Sequence, residues 1–187
     1  MNCNRVAFVK NYFCNLTVTL LTETISRKET ITAIILLTIL GTSMHFVHHV
    51  PFFNHFLGYI FPVVESVMAH MKMVFYPMLA LSLYLVLSRH DIREFGAPIL
   101  AGLTVVPAIG GAFFSYWIFV HHELMFLDII IYLAAMVGAV LLARRWRRSS
   151  LVRKYWPLWI ILVVVQLFLT GYLTYNHPNW LVFADLG

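Results

Sequence analysis

Five apolar runs, each long enough to cross a bilayer, constrain this chain more than any other feature of it. A membrane-crossing helix takes about 20 predominantly apolar residues. The runs lie at about Thr30–Val50, Pro62–Ser88, Gly96–Val120, Leu124–Ala143 and Trp156–Tyr175. The expected fold class is therefore all-α: a polytopic integral membrane bundle of five transmembrane helices over residues 30–187. Residues 1–29 precede it as a cytoplasmic or interfacial segment, whose Val18–Thr22 stretch is too short to span. Composition agrees. Hydrophobic residues make up 61% of the chain and charged ones only 11%, against about 25% in ordinary globular chains, which excludes a typical soluble domain.

The net charge of +5 would suit a nucleic-acid partner, but the basic residues sit in short segments beside the apolar runs. Topology explains them better, and no nucleic-acid partner is expected. Threading the chain through the membrane puts every Lys and Arg except Lys72 on one side, which the positive-inside rule makes the cytoplasm. Arg144-Arg145-Trp146-Arg147-Arg148, followed by Arg153-Lys154, is the strongest inside marker. The N-terminus is then inside and, with an odd number of spans, the C-terminus outside. Cys3 and Cys14 fall in the inner N-terminal segment, where neither a disulfide nor a cysteine-rich metal knuckle is expected. No cleavable signal peptide stands out.

Proline shapes two of the spans. Pro77 should kink the second, freeing a backbone carbonyl about one turn earlier. Pro98, Pro107 and Gly110-Gly111 make the third a soft, closely packed helix. His121-His122-Glu123 is a tight outer turn, so the third and fourth spans form an antiparallel hairpin. No convincing internal repeat is present, which argues against an inverted-repeat transporter.

The same threading gathers polar groups in the outer half. His45, His48, His49, His55, His70, His121, His122 and His177 lie in or near it, with Glu65, Glu123, Asp128 and Asp185. Imidazoles and carboxylates are costly in or beside a bilayer, so they mark a functional site by default. In the first span Thr38, Thr42, His45 and His49 keep one helical face, which should point at other helices. Interhelical packing accounts for the threonines by itself, and for His45 less readily. In the second span Ser66 and His70 share a face, so the hydroxyl could orient the imidazole. Glu65 and His70 stand about 140° apart on an ideal helix and cannot both meet one ion without unwinding or a partner helix. The plain alternative pairs Glu65 with Lys72 at the interface.

Depth brings these groups together. At about 1.5 Å per residue His45 is about 22 Å from the inner end of its helix and Asp128 about 24 Å from Arg144, while His49 and His70 stand roughly 28 Å up theirs. Two histidines and a carboxylate from three helices at similar depth suit a first-row metal, zinc above all, with a position left open for water. A bis-histidine haem would need His45 or His49 to face His70. His121, His122 and Glu123 fit an interfacial lip, His55 and His177 fit exposed loops, and His90 lies on the wrong side.

Phe61-Pro62-Val63-Val64-Glu65-Ser66-Val67-Met68-Ala69-His70-Met71-Lys72, continued by Phe75-Tyr76-Pro77, resembles an uncharacterised family of small bacterial multi-pass membrane proteins. The signature of that family reads approximately Pro-Val-Asn-Glu-Ser-x-x-x-His-x-Lys. Val64 replaces its Asn, which weakens a polar network at that turn. His45 or His48 fills a histidine of the preceding helix, and Phe183-Ala184-Asp185 is similar to the family's ending. The resemblance implies a bacterial cell (inner) membrane location and a site, without naming a reaction. A looser likeness is to intramembrane zinc hydrolases of the alkaline ceramidase and adiponectin receptor type, through Ser66-Val-Met-Ala-His70, Asp128 and His45-Phe-Val-His-His49. The order along the chain differs from theirs, and five spans replace seven.

The leading functional expectation is a metal-dependent membrane hydrolase acting on a lipid or lipid-linked substrate. His45, His49, His70 and Asp128 would hold zinc or another divalent first-row metal, Glu65 would be the general base, and Ser66 would position His70. Two rivals stand beside it: an ion or proton carrier gated at Pro107 and Gly110-Gly111, and a non-enzymatic accessory protein whose histidines sense pH.

Overall fold

The computed structural model of the chain describes residues 26–47, 57–62, 67–122 and 124–176. Its elements in chain order are α1 (Arg27–Phe46), a 3₁₀ turn (Leu57–Tyr59), α2 (Val67–Arg89), a second 3₁₀ turn (Ile92–Phe95), α3 (Gly96–Val120), α4 (Met125–Trp146), the short α5 (Ser150–Lys154) and α6 (Trp156–Tyr175). No strand occurs among the described residues. Among the described residues five helices are long and apolar enough to cross a membrane, giving an all-α bundle of five candidate spans, in line with the hydropathy.

Local chemistry sets the ends. Ser26 caps α1 in a reciprocal box: its Oγ accepts from the Glu29 amide at 3.1 Å, and Glu29 Oε2 accepts from the Ser26 amide at 2.6 Å. Satisfying these first-turn amides starts the helix at Arg27, three residues ahead of the apolar run. Pro62, expected in the first turn of the second span, is not helical, and the described part of α2 begins at Val67. The expected bounds of the third and fifth spans agree with α3 and α6. α3 ends at His121, which takes the left-handed conformation (φ 56°) and donates its amide to the Trp117 carbonyl at 2.8 Å. The chain then reverses into α4, giving the hairpin foreseen from His121-His122-Glu123; Glu123 itself lies outside the described residues.

α2 and α3 form the centre: half of the apolar window of each is buried, against 22% for α1 and α4 and 17% for α6. Val74 and Met78 of α2, Ile99 and Ala101 of α3, and Met136 and Ala139 of α4 are fully enclosed. α1 packs on α2 and α4, and α6 packs on α3. Large apolar side chains such as Leu87, Phe119 and Phe168 point outward, over a surface that lipid rather than water suits.

The closest approach in the bundle rests on Gly41. A Cβ there would collide with the Met73 carbonyl oxygen and with the Tyr132 hydroxyl. Met73 is four residues before Pro77, whose missing N–H leaves that carbonyl without its helical partner. The small residue lets α1 lie against the freed carbonyl. The buried line of α1 is accordingly Thr30, Leu37, Gly41 and Met44, roughly a quarter turn from the polar stripe expected to face inward. Thr38 and His45 are half-buried at the edge of this packed face, and Thr42 is exposed.

The two ends of the bundle differ. One is closed by charge: Arg147 Nε donates to Glu94 Oε2 at 2.5 Å, while Arg153 spans Glu94 Oε1 and Asp91 Oδ2, both at 2.7 Å. Glu94 is only 5% exposed, and this network ties the α2–α3 connection to the α4–α5–α6 connection. At the opposite end stand His45, His70, His121 and His122.

Candidate functional site

Four helices contribute to the histidine end. His45 lies in the last turn of α1 and His70 in the first described turn of α2. Their rings stand side by side, centroids 6.0 Å apart and planes inclined by 34°. Asp128 lies in the first turn of α4, where a carboxylate also suits the helix N-terminus. Its Oδ1 accepts the Tyr116 hydroxyl at 2.6 Å across the α3–α4 hairpin.

His70 and Asp128 line one small cavity with Tyr132, walled by Val67, Ile109, Phe113 and Ile131. Its volume of about 10 Å³ is near the lower limit for a single water molecule, which needs about 10–15 Å³. Tyr132 turns its ring to the cavity while its hydroxyl donates to the Thr38 carbonyl at 3.0 Å, locking α4 to α1 beside Gly41. The site is thus a short sequence of acid–base groups in an apolar setting: imidazole, imidazole, a space of water size, then a carboxylate held by a phenol.

Of the expected site residues, His45 meets His70, and His70 shares a cavity with Asp128. Among the described residues, no three His, Cys, Asp or Glu side chains gather closely enough to hold one ion. The expected shell of His45, His70 and Asp128 is therefore not assembled by these three alone; His70 is the common member of two separate pairings. His49, Glu65 and Ser66 lie outside the described residues, as do His48, His55, His177 and Asp185. His121 and His122 are exposed at the lip, and His122 Nδ1 lies 2.8 Å from the Val120 carbonyl oxygen.

Lys72 departs most from expectation. As the lone basic residue of this end it reads as an interfacial cation, yet it is only 4% exposed. Its Nζ donates to the Gly58 carbonyl and the Thr174 hydroxyl, both at 2.8 Å, and to the Phe61 carbonyl at 3.4 Å. Tyr76 adds a bond from its hydroxyl to the Tyr59 carbonyl at 2.7 Å. Lys72 and Tyr76 thereby hold the 57–61 turn over α2 and against α6. A buried ammonium needs such oxygens in place of water. The signal in the sequence was a lysine two residues after His70 in an otherwise apolar run; its acceptors are spread over the chain as far as Thr174. Tyr116 and Tyr132 were also missed, absorbed into the aromatic content ascribed to interfacial belts.

Comparison with curated proteins and comparison with solved structures each give no match. The sequence profile of a family of unknown function, DUF6512, matches residues 19–186, all five candidate spans included. The chain belongs to that family of unknown function.

Proposed function

We propose that this is an integral membrane protein whose histidine end handles protons, as a proton carrier or proton-coupled transporter in which His45, His70 and Asp128 are the relay groups. One observation carries the reading: His70 and Asp128 face a common cavity of about one water's volume. A water there would have an imidazole and a carboxylate among the residues around it, and proton transfer requires that kind of hydrogen-bonded continuity. Intramembrane His and Asp groups facing the bundle interior are the usual material of proton relays. His45, beside His70, extends the sequence towards the end of α1. Tyr116 keeps the Asp128 carboxylate in place.

The test is proton flux into proteoliposomes under an imposed potassium-diffusion potential, followed with a trapped pH dye. Wild-type protein should acidify or alkalinise the lumen, and Asp128→Asn and His70→Gln should each abolish the signal while the protein still inserts. Flux unchanged in Asp128→Asn, or none in wild type, overturns the reading.

A second reading, the metal-dependent hydrolase of a lipid or lipid-linked substrate, is supported by the His45–His70 pair alone. Two neighbouring imidazoles suit zinc, with His49 completing the set and Glu65 serving as base. Elemental analysis of the purified protein beside His70→Ala tests it: one first-row metal per chain, lost in the variant, would favour the hydrolase over the carrier.

A further inference from the structure

A second cavity lies at the other end of the bundle from His45 and His70. It is a groove of about 830 Å³ between α1 and α2, within the range of about 300–1,000 Å³ typical of ligand sites. Its walls are mostly apolar, from Ala33 and Leu37 on α1 and Leu81 and Leu85 on α2, with Thr32, Tyr84 and Ser88 among them. Charge appears only at the mouth, where Lys28, Glu29 and Arg89 stand.

We infer that this groove binds one anionic glycerophospholipid from the leaflet at the basic end, its phosphate between Lys28 and Arg89 and one acyl chain between α1 and α2. Three observations combine. The first is depth: Lys28 to Leu37 spans about 14 Å of helix and Arg89 to Leu81 about 12 Å, close to half of a hydrocarbon core of about 30 Å. The groove therefore runs from headgroup level towards the bilayer midplane, the path of a single acyl chain. The second is charge. Two cations and one carboxylate line the mouth, and the Glu29 carboxylate is engaged by the Ser26 amide in the α1 cap. The balance favours an anion, and Arg with Lys is the pairing that receives phosphate. The third is location: basic pockets between spans beside the arginine-rich connections are where anionic headgroups are held. Arg89 and Arg147 both act on the Glu29 carboxylate, and Arg147 is also paired with Glu94, so the phosphate would join Arg89 beside Glu29, with Lys28 as the second cation of the mouth.

The experiment uses full-length protein purified in detergent and titrated with phosphatidylglycerol, phosphatidylcholine or inorganic phosphate. Thermal stability and lipid retention in native mass spectrometry are the readouts. Phosphatidylglycerol should raise Tm and be retained at one per chain, while phosphatidylcholine should do so only weakly. Lys28→Gln with Arg89→Gln should reduce the preference for phosphatidylglycerol by about tenfold or more, and Ala33→Trp should block retention of both lipids. The charge variant alters only the mouth, so it remains informative even where the tryptophan variant does not fold. Equal effects of the two lipids on wild type, a preference that survives Lys28→Gln with Arg89→Gln, or stabilisation by inorganic phosphate alone would each overturn the inference. So would a lipid-free dimer, in which a second copy fills the groove.

Discussion

The Tyr116 hydroxyl donates to Asp128 Oδ1 at 2.6 Å, joining α3 and α4 at positions six residues either side of His122. The pair is made by the hairpin: the reversal from α3 into α4 sets residues equidistant from it side by side. A phenol bonded to a carboxylate in this setting is stronger than a neutral pair. Tyr116→Phe should therefore lower stability by about 1.5–3 kcal/mol, while Asp128→Asn, whose amide oxygen still accepts the phenol proton, should lose less. Thermal melting of both variants in detergent, followed by tryptophan fluorescence, checks the order. The same Asp128→Asn protein would then be folded and suitable for the flux assay, which separates the structural role of the pair from its role with protons.

Lys72 makes a different prediction, because its charge faces oxygen atoms of a turn and of a remote helix. Lys72→Met fits the volume but leaves the Gly58 and Phe61 carbonyls and the Thr174 hydroxyl without this donor. Each buried acceptor left unsatisfied costs about 1–3 kcal/mol, so the variant should melt well below wild type. Thr174→Val should cost less, since two acceptors for Nζ remain. Equal losses in the two variants would mean that Lys72 is held mainly through Thr174.

How much of this was legible in the sequence follows from the range of each interaction. The five spans were legible because hydropathy and length act within a single run, and α3 and α6 begin and end where the apolar pattern does. The start of α1 was not, because Ser26 and Glu29 extend the helix through a hydrogen-bonded box that hydropathy ignores. Depth counting set His45 level with Asp128, and His49 level with His70 just above them; in the structure it is His70 that stands beside His45 and shares a cavity with Asp128. Azimuth was less reliable. Periodicity says which residues share a face of α1 but not which face is packed, and Gly41 decided that through its fit against Met73 and Tyr132. The Lys72 acceptors and the Glu94–Arg153 pair are long-range, 102 and 59 residues apart at the extreme, and no local pattern encodes them.

Gly41 offers a test with an internal control. Gly41→Ala places a methyl group against a backbone carbonyl and a hydroxyl already bonded to Thr38, neither of which can yield cheaply. Overpacking of this kind costs about 1–3 kcal/mol. A Cβ at Gly138, inside α4, meets nothing within 4 Å, so Gly138→Ala should be neutral or stabilising by about 0.5–1 kcal/mol through helix propensity. Opposite shifts in Tm for the two alanine variants are the expected outcome. A Gly41→Ala protein as stable as wild type would show that α1 can move away from α2 and α4 without loss.

The charged end gives the largest expected effect. Glu94 is buried between two arginines, and Arg147 is itself only 9% exposed at its side chain. Removing Glu94 leaves the buried Arg147 charged and without this partner, while Arg153 keeps Asp91, at about 3–5 kcal/mol. Glu94→Gln should therefore be severely destabilising, although it changes no volume. Arg147→Met should cost less when made on the Glu94→Gln background than on wild type, because the orphaned guanidinium is then gone. A double-mutant cycle on thermal stability measures that coupling. Additive losses would mean that the two side chains do not share their energy, and that the connections between α2 and α3 and between α4 and α6 are held by packing around Val152 and Trp159 instead.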